Sequence, residues 1–132
     1  MFKYSLNDSK IINVSVINIL SPEGPVKIQL SYKYSDPHEA DKPSVFSILF
    51  ELCKEDEADS DDKTFYFSLE VAGLYNVEIT ENASELEIDS KLMEDLFPFL
   101  RASVATVMSA SGMSPFFIPV ELAHDALNSK YQ

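Results

Sequence analysis

A chain of 132 residues with 45% apolar content and nine phenylalanines can build one domain around a real core, which excludes a disordered polymer. Ten basic against 22 acidic side chains give a net charge of −12. That excludes nucleic-acid binding, because no basic surface exists to displace phosphate counterions, and it disfavours adsorption to anionic membranes. A single cysteine rules out an internal disulfide framework, and no apolar run approaches the ~20 residues needed to span a bilayer. The first residues, Met1 to Ser5, lack the apolar core of a signal peptide, so a reducing cytoplasm is the expected compartment.

Residues 1–132 read as a single domain, with strands first. Ile11 to Leu20 is β-branched and nearly continuously apolar, stopped by Ser21-Pro22-Glu23-Gly24-Pro25. From Val26 the alternation is regular, with Ile28, Leu30, Tyr32 and Tyr34 on one face and Lys27, Gln29, Ser31 and Lys33 on the other. Asp36 to Pro43 is a polar loop. Val45 to Cys53 alternates again, Phe46, Ile48, Phe50 and Leu52 sharing a face, and the charged run Glu55 to Asp62 forms an exposed hairpin connection. Phe65, Phe67, Leu69 and Val71 then oppose Tyr66, Ser68 and Glu70; Ala72-Gly73 marks a bend or bulge before Leu74 to Ile79 continues extended. Short polar linkers suit hairpins, so the economical arrangement is an antiparallel meander of four strands.

Asp89 or Ser90 serves as the expected N-cap of a helix from Lys91 to about Ala110, striped by Leu92, Met93, Leu96, Phe97, Leu100, Val104, Val107 and Met108. Pro98 bends that helix or resets its start, and Gly112 stops it. The stretch Ser114-Pro115-Phe116-Phe117-Ile118-Pro119 clamps three large apolar residues between prolines, where neither helix nor central strand can form. Such a loop caps a core or lines a groove. A last short helix covers Ala123 to Tyr131. The fold class is therefore α+β: a four-stranded antiparallel sheet followed by one long and one short helix.

Catalytic and metal chemistry is thinly represented. His38 and His124 have no second histidine or cysteine at ligand spacing, and Cys53 at a strand end has no visible histidine partner. Ser109 to Ser114 lacks the context of a nucleophile elbow, and the acidic run lacks the central glycine and terminal glutamate of a calcium loop. No enzyme activity, metal or cofactor is expected.

The element Leu96-Phe97-Pro98-Phe99-Leu100-Arg101-Ala102 resembles the Leu-Phe-Pro-Tyr-Ala-Arg helix start of the SecB family of protein-export chaperones. Ser114-Pro115, Ile118-Pro119-Val120 and Asp125-Ala126-Leu127 are similar to that family's later elements, and Val26-Lys27-Ile28-Gln29-Leu30 and Ala72-Gly73-Leu74-Tyr75 to its strand motifs. The resemblance implies an ATP-independent holdase: a dimer or dimer of dimers that keeps unfolded, non-native polypeptides in apolar grooves and hands them to the SecA motor. It implies peptide contacts at Phe65, Phe67, Leu69 and Val71, at Ile28 and Leu30, and at the loop residues Phe116, Phe117 and Ile118. Any sheet packed on a helix needs the same alternation, so core and groove remain alternatives for the strand residues. Consecutive Phe116 and Phe117 in an irregular segment cannot easily both point inward. The acidic residues by which the family docks its motor on the solvent face of the sheet correspond here to Val16, Leu20, Tyr66 and Ser68. Motor docking is thereby left open, and an adaptor that holds one specific partner, such as an antitoxin, stands as the alternative function.

Overall fold

Alternation at period two and the polar breaks between runs produce four antiparallel strands in the computed structural model, which describes residues 2–36, 42–79 and 83–130. They are β1 (Phe2–Asn18), β2 (Val26–Ser35), β3 (Ser44–Lys54) and β4 (Phe65–Ile79), followed by helices α1 (Glu85–Ala110) and α2 (Val120–Lys130). This is the expected α+β architecture. Within it the spatial order is β1-β4-β3-β2, so hairpin succession holds for β2, β3 and β4, while β1 lies beside β4 instead of β2. His38, most of the Asp36–Pro43 loop and the expected helix end at Tyr131 lie outside the described residues.

α1 covers one face of β3 and β4. Phe46, Ile48, Phe50, Phe67, Leu69, Val71 and Tyr75 are sealed beneath Leu92, Leu96, Leu100, Val104 and Met108. Fully burying one such side chain is worth about 1.5–3 kcal/mol, so this layer dominates stability. At its edge the Tyr75 hydroxyl donates to Asp95 Oδ2 at 3.0 Å. Burial first, and the Asp95 carboxylate second, push that phenol far above its ordinary value of 10.0.

The helix begins earlier than the sequence reading has it. Ser84, not Asp89 or Ser90, is the N-cap; its Oγ accepts from the Glu87 backbone N–H at 3.2 Å. Glu85 and Glu87 then place negative charge in the first turn, where the helix dipole favours it. Pro98 does not reset the start, because it lies on the exposed side of the helix together with Glu94. At the far end Gly112 takes φ +80°, and Met113 N–H bonds Met108 O while Gly112 N–H bonds Ser109 O. That is the left-handed Schellman closure which glycine permits. α2 likewise starts at Val120, directly after Pro119, instead of at Ala123.

Of the bend or bulge expected at Ala72-Gly73, the bulge is absent: β4 pairs with β3 in unbroken register through both residues. Gly73 is there for space. A Cβ at that position would stand 2.6 Å from Cε2 of the Tyr75 ring. The register shifts fall on β1 instead, between Leu6 and Asp8 and between Ile11 and Asn13, and the strand extends back to Phe2. The charged connection after β3 is ordered. Glu57 accepts from Thr64 Oγ1 at 2.7 Å and from the Thr64 backbone N–H at 3.0 Å, which holds its carboxyl below the usual range.

Candidate polypeptide-binding surface

A groove of about 570 Å³ runs between β2 and α2. Its floor is residues 28–32 of the edge strand and its wall is Leu122, Asp125, Ala126, Ser129 and Lys130, one face of the helix. Ile28 and Leu30 are half-buried there and thus accessible from the groove. By contrast, Phe65, Phe67, Leu69 and Val71 lie inside the core under α1. The strand stripe is divided by what covers it, and the sequence has no means of showing which strands α1 overlies.

The proline-clamped loop splits its three apolar residues. Ile118 is fully enclosed, Phe116 is half-buried and stacks on Phe50 with centroids 5.8 Å apart, and Phe117 remains 74% exposed. Phe50 pairs with Leu30 across β3 and β2, so the loop and the groove floor are neighbours on the same side of the sheet. The loop is pinned from α1: Arg101 Nε donates to Ile118 O at 2.7 Å while its guanidinium lies 5.2 Å from the Phe97 ring centroid. The Arg101 of the Leu-Phe-Pro element thus positions the segment that follows it by seventeen residues.

Three residues at the groove's end, Asp89, Tyr32 and Lys130, are absent from the binding residues that the sequence resemblance implies. Asp89, 1% exposed, accepts from Tyr32 Oη at 2.9 Å and from Lys130 Nζ at 3.0 Å. The Lys130 ammonium also sits 5.2 Å from the centroid of the Tyr32 ring. β2, α1 and α2 meet at this one carboxylate. The available signal was an acidic residue three and four positions before Leu92 and Met93 on the apolar stripe.

On the far edge, α1 touches β1 near Tyr4 and Asn18 and leaves the strand between them largely uncovered. Leu6, Ile11, Val14 and Val16 pair with Tyr75, Val71, Leu69 and Phe67 and therefore point to the same, helix-facing side, yet each is exposed. Ile19 and Leu20 continue the apolar surface past the strand end. Val16 is accordingly not on the solvent face with Tyr66 and Ser68, which corrects the sequence assignment. That outer face carries Lys27 and Lys33 of β2 beside Glu51 of β3 and Glu70 of β4, a mixed surface. Cys53 is buried on it, and His124 is exposed on α2. Among the described residues no three potential ligands cluster for a metal, and no helix is long and apolar enough to cross a membrane.

No protein-family profile and no curated protein sequence matches the chain. Among solved structures, a SecB-like chaperone of Mycobacterium tuberculosis, in complex with a ChAD peptide from the HigA1 antitoxin, superposes with a TM-score of 0.65. It is 13% identical, and the match covers 89% of this chain and 86% of that one. This chain has a SecB-like fold. The four-stranded antiparallel sheet followed by a long and a short helix is the architecture that the sequence resemblance anticipated.

Proposed function

We propose that this protein is an ATP-independent holdase that binds non-native polypeptide segments along the β2–α2 groove and the adjoining loop. The observation that carries this reading is Phe117, a large apolar ring left 74% exposed on a loop that Arg101 holds in place. A ring presented on a fixed support can bury apolar surface of a guest at roughly 25 cal/mol per Å² without specific hydrogen bonds. Ile28, Leu30 and Phe116 extend the contact, and the core residues Phe65, Phe67, Leu69 and Val71 act as its scaffold. The antitoxin peptide bound by the Mycobacterium tuberculosis neighbour supports a polypeptide as the guest. The acidic balance favours segments carrying basic side chains.

The functional unit in this reading is a homo-oligomer, a dimer or a dimer of dimers. Support comes from β1: between Ile11 and Leu20 the edge strand has no charge and no proline, and its helix-facing side is uncovered. An edge of that kind pairs with another copy or aggregates unless it is protected. Two copies related by a two-fold axis give a closed antiparallel contact. The compartment is a reducing cytoplasm, consistent with one unpaired cysteine. The mixed charge of the outer sheet face offers SecA no acidic patch, so export hand-over is not part of the assignment.

A second reading, an adaptor for one partner, is favoured by the specific antitoxin peptide seen on the neighbour. Equilibrium binding of a panel of unrelated extended apolar peptides separates the two. Comparable affinities across the panel support the holdase, and binding of a single sequence supports the adaptor. Failure of every peptide removes the holdase.

A further inference from the structure

α2 walls the groove yet is thinly attached, since Ala123 and Leu127 are its buried residues. Each of its ends is held by a cation. At the start Arg101 grips Ile118 O, and Ile118 is itself sealed in the core, so that end cannot lift without uncovering an apolar side chain. At the other end Lys130 Nζ meets Asp89 Oδ2 at 3.0 Å, with the lysine side chain 44% exposed and the aspartate side chain 1% exposed.

The two ends therefore differ in what release exposes. Asp89 is costly to bury, and the Lys130 charge and the Tyr32 hydroxyl compensate it. Lys130, half in water, can leave with its charge resolvated, and the core side chain it loosens is Leu127, one turn before it and 7% exposed, whereas the start carries the fully sealed Ile118. The groove wall, residues 122–130, hangs between a fixed start and this releasable end.

We propose that the Lys130–Asp89 pair, closed across the Tyr32 ring, is the latch of a hinged wall: α2 swings outward from its C-terminal end about Ile118-Pro119 and so opens the groove. The proposal rests on the holdase reading only for what enters; the hinge itself is a property of the empty protein.

Hydrogen exchange on the full chain tests it without any guest. Lys130→Met breaks the pair while keeping the apolar stem, and Asp89→Asn/Lys130→Met also removes the buried charge, so that a folding defect cannot be mistaken for an opened latch. In both variants the amides of α2 should exchange about tenfold or more faster, with those of β3 and central α1 unchanged. Unchanged α2 exchange in either variant overturns the latch. So does acceleration spread evenly over β3 and α1, which would make the pair a general brace. With a fluorescein-labelled extended apolar peptide, Lys130→Met should raise the association rate constant by a similar factor; faster exchange with an unchanged association rate overturns the gating role. If no peptide binds the unaltered protein, the holdase reading fails while the exchange result still decides the hinge.

Discussion

Phe67→Ala and Phe117→Ala remove the same ring from opposite situations. Phe67 is fully enclosed and packs 6.2 Å, centroid to centroid, from Phe50. Its truncation should cost about 3–5 kcal/mol, combining lost transfer energy with a cavity that α1 cannot collapse to fill. For a domain of this length that lowers the melting temperature by roughly 10–20 °C. Phe117 is 74% exposed, so its truncation should change stability by about 0.5 kcal/mol or less. A guest that covers the exposed three-quarters of the ring regains about 1–2 kcal/mol of the ~1.5–3 kcal/mol available to a buried phenylalanine. Guest affinity of Phe117→Ala should therefore fall about 5- to 30-fold. Thermal and urea denaturation followed by circular dichroism reads the first quantity, and fluorescence anisotropy of a labelled extended peptide reads the second. The reasoning is refuted if Phe117→Ala unfolds as early as Phe67→Ala, or if it binds the peptide as tightly as the unaltered protein.

Gly73→Ala should destabilise by about 1–3 kcal/mol in urea, because the new methyl meets a buried Tyr75 ring that has no room to yield. Val16→Lys places a charge on the uncovered side of β1; light scattering should show the native mass falling to that of one chain, with the circular dichroism spectrum retained. Glu57 titrates below its ordinary value of 4.5, chiefly through the Thr64 hydroxyl, so its contribution is present above that pH and is lost as pH falls through the lower folded value. Urea denaturation of Glu57→Gln across the acid range should accordingly show a shallower loss of stability below pH 4.5 than the unaltered protein.

What was legible in the sequence follows from which signals are local. Alternation marked the buried faces of β2 and β3, and Gly112 marked the helix stop, because each depends on neighbouring residues alone. The first half of β1 left no such trace. Ser5, Asn7, Asp8, Ser9 and Lys10 break any alternation, and the strand exists through its ladder to the distant second half of β4. Asp89 was misread as a cap because an aspartate before an apolar stripe ordinarily is one, and its partners come from β2 and α2. The Ser84-x-x-Glu87 capping pattern stood in the sequence and would have corrected the helix start. For Phe65 to Val71 the deciding fact is the path of α1 over the sheet, which no periodicity encodes. The loop was legible in outline: prolines excluded regular structure, and two consecutive phenylalanines could not easily both point inward; Phe116 is half-buried and Phe117 exposed.

The central claim is that non-native chains lodge on the groove and its exposed loop. Light scattering from a chemically denatured reporter, diluted into buffer without nucleotide, measures it most directly. The account predicts that the protein slows or abolishes the rise in scattering in proportion to its concentration, and that Phe117→Ala does so less well. Scattering that rises at the same rate with the protein in several-fold molar excess would contradict it.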